Sequence, residues 1–234
     1  MPYRNMSLED FARYVGMDAR EVQKLADRGK LPGQKIGGEW RFNRARVTEW
    51  LQQEMHTLDE ARLATLDRAM GGGLDDKSMV LTDLIGLDGI DVDLRANTKA
   101  SVLRELVKLA ERTGQLYDSE VLLAALEARE EMCSTGLQRG VAIPHPRQPL
   151  PYVSAEPFVC VARTARPIGF GSPYGGLSQL FFLICCHEDR HHLRVLARLM
   201  RVLSEDTIDV LMEAETREDL LQVLIDKEAV VVKG

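Results

Sequence analysis

The chain has 234 residues, a net charge of −6 at pH 7 and a charged fraction of 28%. This length can bury one full-sized core beside a small second domain. No apolar run approaches the ~20 residues that span a bilayer, and the first residues form no signal peptide, so we expect a cytoplasmic protein without a membrane segment. The four cysteines show no disulfide or CxxC spacing and are expected to be reduced thiols.

Residues 1–55 are mildly basic, with ten Lys and Arg against eight Asp and Glu; this balance of +2 leaves −8 for the rest of the chain. Ser7 and Asp18 are suitable N-caps for two short helices that each end at a glycine. Gly37-Gly38 then predicts a tight hairpin, and Asn43 can cap a third helix. The pattern is that of a helix-turn-helix followed by a hairpin wing.

This segment resembles the excisionase or MerR-like winged helix-turn-helix over about residues 6–52. The matching positions are Ala12, Gly16, Val22, Gly29, Leu31-Pro32, Lys35-Ile36-Gly37 and Trp40-Arg41-Phe42. The resemblance implies that the second helix enters the major groove of DNA and that the wing reaches the backbone or the minor groove. The basic residues it assigns to DNA are Arg20, Lys24 and Arg28 on the helix, with Lys35 and Arg41 on the wing.

Acidic residues are interleaved with these bases and favour an alternative use of the same fold. They are Asp18, Glu21, Asp27 and Glu39. Each acid near a phosphate would weaken DNA binding by repulsion. A winged helix that binds protein partners therefore stands beside the DNA-binding interpretation.

Residues 56–80 are predicted to link two domains. The first part should be helical and carries apolar residues at three- and four-residue steps, which would serve either to pair two copies in a homodimer or to pack on the chain's own core. Gly71-Gly72-Gly73 should end this helix, and the polar stretch that follows is predicted to be flexible.

Residues 81–234 alternate helices with strands, which predicts a layered α/β domain. Strands are expected at Ile90–Leu94, Phe158–Ala162 and Leu180–Cys185. Helices capped by Thr98 and Ser119 should lie between the first two strands, and a further helix should run from about Arg190 to Ser204.

The stretch 129–145, REEMCSTGLQRGVAIPH, places one histidine behind a proline at the end of a short apolar run. Pro144 cannot donate to a sheet and should end the strand, which holds His145 at its tip. Such a position suits a nucleophilic imidazole with one nitrogen free and the other hydrogen-bonded. A surface histidine in an ordinary turn is the alternative.

The same stretch resembles the phosphorylation-site motif of phosphotransferase-system EIIA domains of the fructose, mannitol and nitrogen-regulatory type. The matching residues are Arg129-Glu130, Ser134-Thr135, Gly140, Val141-Ala142-Ile143, Pro144 and His145, and the similarity extends from about Leu81 to Ala229. The resemblance implies an α/β domain with a mixed sheet flanked by helices. One departure is Pro146, where the family has glycine; the proline stiffens the loop and removes an N–H.

The resemblance implies that a histidine phosphocarrier protein (HPr-like) phosphorylates His145, with His192 and Arg129 supporting the phosphoryl group and with Ser134 and Thr135 as hydroxyl donors. It implies no cofactor and no membrane partner. A metal site at His187 and His191 is the rival use of the histidines, although no second pair of ligands accompanies them. Together the two resemblances predict a regulator in which an EIIA domain controls a DNA-binding head. The alternative is a protein-interaction module whose EIIA-like domain senses state or no longer accepts phosphate.

Overall fold

The computed structural model describes residues 5–72, 80–173 and 175–233, and the chain divides into two compact units. The first unit comprises the N-terminal 77 residues together with Leu193–Arg201, and the second comprises Ser78–His192 and Val202–Gly234. In the described residues no helix is long and apolar enough to cross a bilayer. Most of the predicted flexible linker, residues 73–79, lies outside the described residues.

The first unit is a winged helix-turn-helix with one additional helix. Its elements are β1 (Asn5–Met6), α1 (Leu8–Val15), α2 (Ala19–Asp27), β2 (Gly33–Ile36), β3 (Glu39–Asn43), α3 (Arg44–Glu54) and α4 (Glu60–Met70). The predicted caps are confirmed, because Ser7, Asp18 and Asn43 each accept a hydrogen bond from a backbone N–H of the following helix. Gly16 closes α1 in the left-handed conformation, as predicted.

The core of this unit is aromatic and aliphatic. Phe11 stacks on Phe42 with their ring centroids 4.4 Å apart, and Val22, Val47 and Leu51 are buried around them. The hairpin forms as predicted, with β2 and β3 antiparallel and β1 on the other side of β3.

The predicted helix after residue 55 is interrupted. A 3-10 turn covers Met55–Thr57, the chain is extended at Leu58, and Asp59 caps α4 anew. Leu63, Leu66 and Met70 of α4 are buried within the unit. The apolar stripe therefore packs on the chain's own core, and the stripe no longer supports pairing of two copies.

One carboxylate on α4 is buried among arginines. Asp67 Oδ2 accepts hydrogen bonds from Arg198 Nε at 2.6 Å and from Arg201 Nη1 at 2.9 Å, and Arg194 Nε lies 3.5 Å from Oδ1. The Asp67 side chain is only 2% exposed. A charge held this far from water depends on its partners, so this cluster fixes α4 in place within the unit.

The second unit is built on a mixed four-stranded sheet in the order β4-β6-β7-β5. Its elements are β4 (Ile90–Leu94), α5 (Lys99–Arg112), α6 (Ser119–Met132), β5 (Val141–Ala142), β6 (Phe158–Ile168), β7 (Ser178–Cys185), the ends of α7 (Asp189–Val202), α8 (Glu205–Glu213) and α9 (Arg217–Lys233). The middle of α7, Leu193–Arg201, belongs to the first unit. The two central strands are antiparallel, whereas each edge strand is parallel to its neighbour. The mixed α/β fold was predicted correctly.

One detail of the sequence prediction was wrong. The N-cap of α6 is Asp118 rather than Ser119, because the Asp118 carboxylate accepts the Val121 N–H. Helix α7 covers Asp189–Val202, close to the predicted range, and His187 precedes it. The sequence analysis also did not predict α8 and α9. Cys160, Cys185 and Cys186 are buried free thiols and Cys133 is exposed.

Candidate active site

His145 is placed by a short edge strand. Gly140 takes a positive φ of 79° and turns the chain into β5, which runs parallel to β7 with Val141 opposite Leu180. The strand ends at Ala142, two residues earlier than Pro144, where the sequence analysis placed its end. The chain nevertheless stays beside β7, because the Pro144 carbonyl accepts a hydrogen bond from the Ile184 N–H at 3.0 Å. Proline cannot donate, and at the sheet edge no donor is required of it. His145 follows three residues after the end of the strand.

The imidazole of His145 is buried and oriented by its own strand. Nδ1 lies 2.7 Å from the carbonyl oxygen of Ile143, and the ring is 4% exposed. A carbonyl oxygen only accepts, so Nδ1 carries the proton and donates it. Nε2 then holds a lone pair, and this buried atom has no hydrogen-bond partner among the described residues. The alternative of an ordinary surface histidine is inconsistent with this burial.

A second histidine lies against the first. The ring centroids of His145 and His192 are 5.0 Å apart with the planes tilted by 46°. His192 lies in the first turn of α7, is 4% exposed, and its Nε2 is also buried without a hydrogen-bond partner among the described residues. Buried polar atoms are nearly always hydrogen-bonded, so these two nitrogens on adjacent rings are candidates for contact with a bound polar group.

The surroundings keep both rings neutral. Burial, together with the positive charge of Arg129, lowers the pKa of His145 to about 4, against the opposing effect of the bond to Ile143. Burial likewise holds the pKa of His192 well below its usual range, with His145 and Arg129 adding to the effect. At neutral pH Nε2 of His145 therefore carries an unprotonated lone pair close to the positive charge of Arg129.

The loop beneath the histidines is held by two charged residues from the end of α6. Arg129 Nη1 donates to the Cys133 carbonyl at 2.6 Å, and the Arg129 side chain is buried. Glu130 accepts from the Thr135 N–H at 3.0 Å and from the Thr135 hydroxyl, while Lys99 Nζ lies 3.0 Å from its other oxygen. Thr135 in turn accepts the Ile143 N–H, so this carboxylate braces the strand that carries His145.

The role of Glu130 and Lys99 was missed in the sequence. The Arg-Glu pair was visible as part of the motif, but only its arginine was given a role. The partner Lys99 lies 31 positions away at the start of α5, and no local pattern connects the two.

The remaining histidine of interest is engaged elsewhere. His187 Nε2 lies 3.0 Å from the Ser154 hydroxyl. Within residues 5–72, 80–173 and 175–233, no three His, Cys, Asp or Glu side chains are grouped closely enough to hold a metal ion.

Comparison with known families identifies both domains of this chain. The family model for the phosphoenolpyruvate-dependent sugar phosphotransferase system, EIIA 2, matches residues 83–227. The chain belongs to the EIIA 2 family. A helix-turn-helix domain model matches residues 6–55, so the EIIA 2 domain follows a helix-turn-helix head.

Relatives and solved structures agree with this assignment. A nitrogen regulatory protein of Bradyrhizobium diazoefficiens is 37% identical over 133 residues, which are 56% of this chain and 84% of that protein. The fructose-specific EIIABC component of Bacillus subtilis is 28% identical over 149 residues, 62% of this chain but only 23% of that protein. The crystal structure of the nitrogen regulatory protein IIA-Ntr from Neisseria meningitidis superposes with a TM-score of 0.56 at 29% identity, covering 62% of this chain and 99% of that one.

Within the EIIA 2 domain, the two predicted hydroxyl donors are already engaged. Ser134 Oγ donates to the Phe170 carbonyl at 2.8 Å and accepts the Gly136 N–H, whereas the Thr135 hydroxyl donates to Glu130. In this geometry both hydroxyls shape the loop, and their contact with a phosphoryl group stays a prediction. Pro146, the residue that follows His145 in the sequence, is buried.

The predicted DNA-binding residues of the head fall into two groups. Arg20, Lys24 and Arg28 are exposed along one side of α2 at four-residue steps, and we call them the α2 stripe. Within the described residues none of the three forms an ion pair. On the wing, by contrast, Lys35 Nζ lies 3.1 Å from Asp27, and Arg41 Nη2 lies 2.5 Å from Glu39.

Proposed function

We propose that the EIIA 2 domain accepts a phosphoryl group on Nε2 of His145 from a histidine phosphocarrier protein. The observation that carries the proposal is the state of the imidazole: Nδ1–H is fixed by the Ile143 carbonyl, and Nε2 is neutral, buried and unpartnered among the described residues. A nucleophile in phosphoryl transfer needs this combination of a free lone pair and fixed orientation.

The transfer requires only one bond to form and one to break. Nε2 of His145 attacks phosphorus in line, and the N–P bond of the donor's phosphohistidine breaks, returning the electron pair to the donor ring. His145 keeps its Nδ1–H, so the phosphorylated ring is cationic and its bond to the Ile143 carbonyl becomes stronger. Arg129 supplies positive charge to the phosphoryl oxygens, and His192 is positioned to hydrogen-bond them.

We further propose that the phosphorylation state of this domain regulates DNA binding by the head. The α2 stripe supports this, since three exposed cations without acidic partners among the described residues lie on the helix that enters the groove in winged helix-turn-helix domains. The proposal therefore joins a phosphoryl-accepting domain to a DNA-binding head in a cytoplasmic regulator.

The first experiment is intact-mass measurement after incubation with phosphoenolpyruvate, enzyme I and a histidine phosphocarrier. We expect one acid-labile phosphoryl adduct on the wild type and none on His145→Ala. His187→Ala is the matched control, because this histidine is bonded to Ser154, and it should be phosphorylated as the wild type is. An adduct that persists in His145→Ala would disprove the assignment of the acceptor.

The second experiment measures the salt dependence of DNA binding by the full chain. Three phosphate contacts from the α2 stripe give a slope of log K against log salt of about −2.7, and each Arg→Gln or Lys→Gln change should reduce its magnitude by about 0.9. Arg68→Gln, an exposed charge on α4, should leave the slope unchanged. Comparing the two phosphorylation states then gives the sign of the regulation.

A protein-interaction module remains the second candidate, and one observation favours it. The wing cations Lys35 and Arg41 are neutralised by Asp27 and Glu39, which weakens the attraction of the wing for phosphates. A salt slope near zero for the wild type, with phosphorylation intact, would favour this candidate.

A further inference from the structure

The head contains a half-open apolar cavity that neither proposed activity uses. Its volume is about 340 Å³, and it lies among the helices of the first unit. Apolar side chains form most of the lining, among them Val15, Leu25, Leu31, Trp50, Leu51 and Leu66. Small-molecule sites in proteins have volumes of roughly 300–1,000 Å³ and are mostly apolar with a few charged groups. By both measures the cavity suits a small ligand.

Positively charged side chains outnumber negatively charged ones around the cavity. Arg28, Lys30, Arg62 and Glu54 all contribute to its lining, but Arg62 is already paired with Glu21. Arg28 and Lys30 are exposed and form no ion pair among the described residues. Two cations less the single carboxylate of Glu54 leave a charge of +1. This balance matches a ligand with one negative charge.

From these features we propose that the cavity binds a monoanionic amphiphile, such as a medium-chain carboxylate, with the apolar chain inside and the carboxylate at Arg28 and Lys30. The volume of about 340 Å³ lies at the small end of the range for ligand sites, which suits a single short acyl chain. A saturated carboxylate of ten carbons is therefore the probe.

Occupation of the cavity has a consequence for DNA binding because Arg28 also belongs to the α2 stripe. A carboxylate paired with Arg28 removes one of the three cations available to phosphates. This consequence rests on the proposed function of the head, whereas binding of the ligand does not.

The test is calorimetric titration of the full chain with decanoate, with tryptophan fluorescence as a second signal because Trp50 lines the cavity. We expect saturable one-to-one binding. The Arg28→Gln, Lys30→Gln double variant should weaken it about tenfold, whereas Glu54→Gln should tighten it about threefold, since one repulsive charge is removed. Arg68→Gln, which alters an exposed charge outside the cavity, should bind as the wild type does.

Decanol tests the role of the charge and should bind about tenfold more weakly than decanoate. Equal binding of the two, or an affinity that Glu54→Gln and the double variant leave unchanged, would overturn the proposal. Absence of saturable binding at millimolar decanoate would also overturn the proposal. This includes the case in which sedimentation shows that a second copy of the chain covers the cavity. All these outcomes are independent of phosphorylation at His145 and of DNA binding, so failure here is distinct from failure of the proposed function.

Discussion

Acidification should lower the free energy of unfolding of this protein, and the substitution His145→Gln should remove part of that loss. His145 has a pKa of about 4 in the folded chain, whereas an unfolded histidine has the usual value of 6.5. Between these values the unfolded chain binds more protons, so stability is fully present above pH 6.5 and is lost as the pH falls toward 4. Because His192 has its pKa lowered too, it contributes in the same direction.

The magnitude follows from the two pKa values. At pH 5 the difference in proton binding by His145 alone costs about 2 kcal/mol relative to pH 7.5. We expect urea unfolding, followed by far-UV circular dichroism, to show this loss in the wild type. His145→Gln has no proton to gain, so its stability should fall by about 2 kcal/mol less over the same interval.

Nuclear magnetic resonance gives an independent measurement on the wild type. The ring of His145 should show the Nδ1–H tautomer at neutral pH and should titrate near pH 4, with Nε2 taking the proton. A titration near pH 6.5, or an identical loss of stability in wild type and His145→Gln, would refute the argument that burial keeps this ring neutral.

Three further predictions concern the residues that support the site and the head. Asp67→Asn should destabilise the first unit by roughly 3 kcal/mol, because it leaves buried arginines without their carboxylate; thermal unfolding read by tryptophan fluorescence tests this, and an unchanged midpoint would contradict it. Glu130→Gln should cost about 2 kcal/mol in chemical unfolding and slow phosphoryl transfer to His145, since one amide oxygen replaces two carboxylate acceptors; a wild-type transfer rate would show that this brace is not needed. Gly16→Ala should destabilise the first unit more than Gly29→Ala does. Both glycines have positive φ, but of the two only Gly16 would place a Cβ 2.9 Å from another side chain, that of Thr65. Equal losses of about 1 kcal/mol in the free energy of unfolding would contradict this.

The parts of this structure that depend on local chemistry were predictable. Helix caps at Ser7, Asp18 and Asn43, the Gly-Gly hairpin and the strand that ends before His145 all follow from short-range preferences of the backbone. The motif around His145 also singled out a ring that the structure shows to be buried, with Nε2 unpartnered among the described residues.

The rest depends on contacts between distant parts of the chain. Glu228 interrupts the apolar pattern of α9, yet it is buried because it accepts the N–H groups of Leu81 and Thr82, more than 140 positions away. A helix with a buried carboxylate on its inner side lacks a clear amphipathic signal, which explains why α9 was missed. The brace between Lys99 and Glu130 escaped prediction because the two residues lie 31 positions apart and no local pattern connects them.

The arginine cluster around Asp67 bears on how this protein can be dissected. The helix-turn-helix domain ends by sequence at residue 55, but the compact unit that contains it includes Leu193–Arg201 from far along the chain. Truncation after residue 72 would remove Arg194, Arg198 and Arg201 and leave a carboxylate on α4 that had been buried with them. If the head were fused to another protein, that protein would have to supply positive charge next to Asp67. The residues needed for a stable head therefore extend beyond the helix-turn-helix domain defined by sequence.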